Sequence, residues 1–330
     1  MSSPAPASVP AFFRMIVTQS ASLYWTLLKI MVPVMIVVRI AVHFGLIDLM
    51  GLVFAPVMAL VGLPAATGLV FATTCLIGIY GGIAVLLGLL PTLDLSTADL
   101  TILACMMLAA HNLPVELRVA QKAGASLTLT LLLRVGFALL HGALLNLGYQ
   151  AAGVLQEPGS VMIATTATPS GDWLHWAIDS AESLLMIFPV IVVLLVVLRL
   201  MDMLGVTAFL TRLLQPVLGL MGMSPVAGPL TMVGALLGLT YGGGLIISEA
   251  RAGHLPERDV VLSVWFMSIC HSLIEDTALL LAMGGHWSGV LVSRFVLAVL
   301  VMVVLARLVH RLPDGLFRRW VFRAAPQPAE

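Results

Sequence analysis

Apolar runs long enough to cross a lipid bilayer follow one another along this chain, and they do so twice, at an offset of 160 residues. Arg39 matches Arg199, Gly45 matches Gly205, and Pro56-Val57 matches Pro216-Val217. Gly62, Gly68 and Gly78 match Gly222, Gly228 and Gly238. Asp99, Met107, His111 and Arg134 match Asp259, Met267, His271 and Arg294. Tyr80-Gly81-Gly82 meets Tyr241-Gly242-Gly243 with one inserted residue. The identities are sparse, but they fall on Pro, Gly, Arg, His and carboxylate positions, which a lipid-soluble helix does not keep for packing alone. Duplication of a multi-span segment is characteristic of secondary transporters, whose sites lie where the two halves meet. The pattern predicts an all-α, polytopic integral membrane helix bundle and makes transport the leading reading.

Composition removes the competing classes. The chain is 60% hydrophobic and 10% charged, with a mean hydropathy of +1.09, whereas about a quarter of a soluble domain is charged. Zero net charge gives nucleic acid nothing to bind, which leaves the lipid bilayer and a small polar solute or ion as partners. A homo-oligomer stays open, and no cofactor motif is visible. Cys75, Cys105 and Cys270 all lie inside apolar runs and read as buried thiols, not a disulfide framework. Residues 1–22 carry one basic side chain before Lys29, Arg14, and read as a cytoplasmic segment instead of a cleavable signal.

A helix needs about 20 apolar residues to cross the hydrocarbon core. Candidate spans are 23–46, 66–90, 99–119 and 125–147 in the first half, with a shorter segment at 49–63. The second half offers 174–201, 228–248, 259–283 and 287–309, with a shorter segment at 204–222. If both short segments cross, Arg14, Lys29, Arg118, Lys122, Arg199, Arg251, Arg258, Arg307 and Arg311 all fall at cytoplasmic ends. The opposite loops, including 91–98, 148–173 and 284–286, hold no Lys or Arg. That asymmetry obeys the positive-inside rule. It predicts about ten spans, both termini cytoplasmic, in a bacterial inner membrane. The units are repeat 1 (23–147), an external linker (148–173), repeat 2 (174–309) and a cytoplasmic basic tail (310–330). Five is odd, so the two repeats would have inverted orientations.

Three constellations could carry chemistry. Glycine clusters around Tyr80-Gly81-Gly82 and Tyr241-Gly242-Gly243 either unwind a helix beside substrate or let helices pack closely. The second constellation is His111-Asn112-Leu113-Pro114-Val115-Glu116 and its mate His271-Ser272-Leu273-Ile274-Glu275-Asp276. Ionisable residues within spans default to a functional hypothesis. His111, Asn112, His271, Ser272 and Glu275 are the expected ligand contacts. A histidine titrating near pH 6.5 would suit proton coupling. Together with Met107, Met267 and Cys270, the histidines could instead hold a transition metal. Third, Glu116 and Arg134 are equidistant from residue 125, and Asp276 and Arg294 from residue 285. Both pairs are expected as structural ion pairs at matched depth on neighbouring helices.

The Tyr-Gly-Gly break followed by His271-Ser272-Leu273-Ile274-Glu275-Asp276-Thr277 resembles the Gate, or "nucleoside recognition", membrane domain. Concentrative nucleoside transporters, the bacterial ferrous-iron permease and the spore maturation A and B proteins share that domain. The resemblance covers roughly 25–124 and 180–285, once per half, and implies a fused pair of gate units. No G-x-x-x-x-G-K-[ST] loop is present, unlike the iron permease, and no residue set here fixes a nucleobase. The open alternatives to solute transport are a divalent-metal permease and a non-transporting envelope assembly protein. An enzyme is not expected: there is no His-Glu-x-x-His or Gly-x-Ser-x-Gly motif.

Overall fold

The computed structural model describes residues 9–162, 173–224, 226–238, 244, 246–249 and 255–323. Among these residues the chain is all-helical, without a β-strand. The first half runs α1 (Val9–His43), α2 (Leu46–Leu60), α3 (Thr67–Ile77), α4 (Ile79–Leu89), α5 (Thr97–Ala110), α6 (Leu113–Lys122) and α7 (Leu127–Ala152). The second runs α8 (Trp173–Met203), α9 (Val206–Leu220), α10 (Ala227–Leu237), α11 (Glu257–Ile269), α12 (Glu275–Ala282) and α13 (Arg294–Arg311). A π turn, Ser288–Ser293, leads into α13.

Among the described residues, five segments are long and apolar enough to cross a membrane: Phe13–His43, Thr97–Lys122, Leu127–Ala152, Trp173–Met201 and Ser288–Arg311. Their packing is that of a membrane protein. On α13 the exposed large apolar side chains are Val296, Leu300, Val304 and Leu308, one every fourth residue and therefore one continuous helix face. Apolar area of that extent facing outward is unstable in water and suits lipid. The segment Thr97–Lys122 is the most enclosed of the five, so the chain wraps its lipid-facing helices around α5 and α6.

Backbone irregularities recur at the offset seen in the sequence. Left-handed or otherwise positive φ values pair Gly45 (67°) with Gly205 (72°), Gly62 (72°) with Gly222 (69°), and Gly124 (103°) with Gly284 (87°). They also pair Gly78 (116°) with Gly238 (105°), and Asn112 with Ser272, both at 48°. The Gly78 conformation, φ 116° and ψ 178°, is open only to glycine, and it splits the apolar run 67–89 into α3 and α4.

Several boundaries differ from those expected. The first helix starts by Val9 instead of 23, so the part of 1–22 that is described belongs to it. The runs 99–119 and 259–283 are each interrupted, at His111–Asn112 and at Cys270–Ile274. α7 continues to Ala152, into the expected linker, and the connection after it is docked. Glu157 and Leu155 carbonyls accept from the N–H groups of Thr97 (3.0 Å) and Ala98 (2.8 Å), which the start of a helix leaves unpaired. Residues 163–172 of the expected linker lie outside the described residues. The expected basic tail also folds back. Phe317 is buried, the Val321 carbonyl accepts from Ser126 N (2.9 Å), and Arg323 N donates to the Gly124 carbonyl (2.8 Å).

These contacts sort the loops into two ends. Residues 122–126, the start of α11 and residues 312–323 meet at one end, tied by Arg258 to Asp314 (2.7 Å) and Arg318 to Glu257 (2.9 Å). Residues 95–98, 153–162 and 282–286 meet at the other, where Met162 N donates to the Ala282 carbonyl (3.1 Å) and His286 N to Thr101 Oγ1 (2.8 Å). The first end holds Lys122, Arg258, Arg318, Arg319 and Arg323; the second holds no Lys or Arg. It follows that α5–α6 and α11–α12 run in opposite directions.

Candidate functional site

The site grows out of four helix breaks. In the first half the Thr74 carbonyl accepts from Gly78 N and from Asn112 N, each at 2.9 Å, so one oxygen ties the α3/α4 break to the α5/α6 break. In the second half Gly238 N donates to the Gly234 carbonyl (2.9 Å) and Leu273 N to Ala235 (3.1 Å). A Cβ added at Gly78 would lie 3.8 Å from Asn112, and one at Gly238 would lie 3.2 Å from Ser272 Oγ. Irregular backbone at membrane depth persists only where it is buried in protein or lines a cavity. The paired left-handed Asn112 and Ser272 each carry strain of order 1 kcal/mol.

Unwinding the ends of α5 and α11 leaves carbonyls for the histidines to use. His111 Nδ1 lies 3.2 Å from the Met107 carbonyl and 3.1 Å from Leu108; His271 Nδ1 lies 2.7 Å from Met267. A carbonyl only accepts, so each Nδ1 carries the proton and donates it. In a neutral ring that leaves Nε2 with a bare lone pair. The two Nε2 atoms face each other at 3.0 Å, with ring centroids 4.8 Å apart. Glu116 Oε1 joins them, 3.1 Å from His111 Nε2 and 3.4 Å from His271 Nε2. Asp276 Oδ2 is 4.0 Å from His111 Nε2. His111 (7% exposed), His271 (2%) and Glu116 (6%) are closed off from solvent. Converging acceptors with no donor between them repel one another, so this arrangement is built around a positive charge.

The arginines support the site from behind. Fully buried Arg134 donates through Nε to the freed Ala109 carbonyl (2.9 Å) and through Nη1 to Glu116 Oε2. The first expected ion pair is therefore made, but Glu116 also turns its second oxygen to the histidines, a role the sequence reading did not give it. The His–x4–Glu spacing was the available signal. The second expected pair is not made: among the described residues no ion pair joins Asp276 to Arg294. Arg294 Nη2 instead donates to the His271 carbonyl (2.7 Å), while its Nε and Nη1 have no partner.

The remaining expected contacts divide. His111, His271, Asn112 and Ser272 are brought together as anticipated. Glu275 is only partly buried and, among the described residues, makes no hydrogen bond or ion pair to the histidines; its neighbour Asp276 takes that place. Gly81 and Gly82 lie within the first turn of α4, and added Cβ atoms would meet Ile77 Cγ2 (2.9 Å) and Met107 Cε (2.9 Å). They serve close packing, and the break itself is at Gly78. Tyr80 is within electrostatic range of Glu275 and Asp276. Tyr241, Gly242 and Gly243 lie outside the described residues. The soft-metal set also changes. Met107 and Met267 contribute backbone carbonyls to the histidines, and among the described residues a group able to hold an ion is His111, His271 and Asp276, with ligand atoms within 4.8 Å of one another. Cys270 is buried but does not belong to it.

Comparison with known proteins agrees on the class. The chain is 28% identical over 286 residues to "Uncharacterized membrane protein YvoD" of Bacillus subtilis (strain 168), covering 86% of this chain and 90% of that protein. No family model and no solved structure matches the chain. Fold, lipid-facing surface and relative together define an all-helical membrane protein.

Proposed function

We propose that the chain is a secondary transporter of a small polar solute or ion, built as ten crossings in two inverted repeats of five, with its site at the His111–His271 contact. One observation carries the reading. Residues 111 and 271 are equivalent at the 160-residue offset, sit at equivalent helix breaks on oppositely directed helices, and touch each other. Equivalent residues meet only on the axis that exchanges the two halves, as in an isologous interface. Tyr24 Oη donating to the Leu184 carbonyl (3.2 Å) is a second such contact. A buried polar site on the exchange axis is what alternating access requires. The Gate-domain resemblance belongs to the same proposal. A purely structural membrane protein has no use for facing lone pairs at its centre.

Two experiments test this. Reconstituted into vesicles, the chain should accumulate a substrate from a panel of nucleosides, amino acids and divalent ions. His271→Ala should abolish that uptake with little loss of folded protein. Retention of full uptake by the variant would move the site elsewhere. For topology, the chain with Ser160→Cys, in a background without native cysteines, should react with a membrane-impermeant thiol reagent in intact cells. Reaction only after lysis would reverse the orientation.

A further inference from the structure

We infer that the ion this site takes is a divalent first-row transition metal, held by Nε2 of His111 and His271, Oε1 of Glu116 and Oδ2 of Asp276. The inference rests on the proposed reading of the histidine pair as the ligand site and adds the chemical class. Three geometric facts support it. Ligands about 2.1 Å from a metal lie about 3.0 Å apart at octahedral angles and about 3.4 Å apart at tetrahedral ones. The three edges among His111 Nε2, His271 Nε2 and Glu116 Oε1 are 3.0, 3.1 and 3.4 Å. The triangle thus has the dimensions of one face of a coordination polyhedron.

The outer contacts agree. A metal-ligating histidine donates its other ring N–H to a carbonyl or carboxylate, which fixes the tautomer and aims the lone pair. Both rings do so here, to Met107 and Leu108 and to Met267. Glu116 is oriented by Arg134 through its opposite oxygen. A shared proton bridges two acceptors, whereas three converge in this site and a fourth lies beside them. Asp276, 4.0 Å from His111 Nε2, needs only a side-chain rotation or a small helix shift to close on the same centre. Two imidazoles with two carboxylates select zinc, iron(II) or manganese over calcium and magnesium, which take oxygen alone, and over copper(I), which takes sulfur.

The test is metal binding by the purified full-length chain in detergent, stripped with chelator and titrated with Zn²⁺, Mn²⁺ or anaerobic Fe²⁺. One ion per chain is expected for at least one of the three. With Co²⁺ the visible spectrum should report nitrogen and oxygen ligands without thiolate. His271→Ala should weaken binding on the order of a hundredfold or more, and Asp276→Asn roughly tenfold. His310→Ala, at the exposed end of α13, should leave it unchanged. Glu116 is also paired with Arg134, so a change there alters two interactions at once, and Asp276→Asn serves as the carboxylate variant for binding. Absence of stoichiometric binding by a monodisperse, helical chain would overturn the inference. So would binding that survives His111→Ala combined with His271→Ala, or histidine titration by pH that is unaffected by saturating Zn²⁺. Vesicles separate the two readings. Metal bound but never moved leaves the site standing and removes the transporter; uptake of another solute by a chain that binds no metal does the reverse.

Discussion

Arg134→Leu should cost the folded chain roughly 3–5 kcal/mol, because it strands the buried Glu116 carboxylate. Arg294→Leu should cost no more than about 1–3 kcal/mol, the loss of one hydrogen bond to a buried carbonyl. The two arginines occupy equivalent positions and are both completely buried, so helix position and desolvation are matched. The difference lies in what each leaves behind. Arg134 spans Glu116 Oε2 and the Ala109 carbonyl and leaves one nitrogen, Nη2, unpaired, whereas Arg294 reaches only the His271 carbonyl and leaves two, Nε and Nη1. Reversible unfolding in mixed micelles, followed by far-UV circular dichroism, measures both. A double-mutant cycle sharpens the contrast: Arg134–Glu116 coupling should exceed about 0.5 kcal/mol, and Arg294–Asp276 coupling should be below it. Equal couplings in the two halves would show that the pairs are alike after all.

That asymmetry also marks where sequence reasoning stopped. The 160-residue offset located both histidines and the glycine-rich Gly78 and Gly238 regions, because glycine and buried charge are expensive enough in a membrane to be visible as residue types. The breaks beside the histidines went unforeseen, and the Glu116–Arg134 pair came from equal distances to residue 125. The Asp276–Arg294 pair was inferred from equal distances to the intervening turn, an argument that needs regular helices on both sides. In the first half that holds: α6 restarts at Leu113, directly after Asn112. In the second, the helix restarts at Glu275 instead of the equivalent residue 273, and a π turn over Ser288–Ser293 precedes Arg294. Together these turn the two side chains apart. Neither irregularity has a residue signature. The glycines at 81 and 82 mislead for a related reason: a packing glycine and a helix-breaking one look the same until φ is known. Gly78, with φ 116°, is the one that breaks.

On the transporter reading, the unequal halves are two ends of one cycle. Inverted repeats alternate by exchanging conformations. The exchanged state should therefore pair Asp276 with Arg294 and release Glu116 from Arg134, opening the histidine pair to the opposite side. Asp276→Asn removes the pair that only the exchanged state makes, and Glu116→Gln removes the pair that only the present state makes. A buried pair worth roughly 3–5 kcal/mol shifts the ratio of two states by about 10²–10³ or more when it is lost from one of them. Each variant should thus be held almost wholly in one state, and the two in opposite states. The readout is a thiol placed beside the site by Asn112→Cys, with Cys75, Cys105 and Cys270 replaced by Ala. Membrane-impermeant reagent is then applied to right-side-out and to inside-out vesicles. The parent chain should react from both sides. With Asp276→Asn it should react from one side only, and with Glu116→Gln from the other only. Both variants reacting from the same side would mean that the ion pair does not report the state, and the difference between the halves would then be fixed architecture.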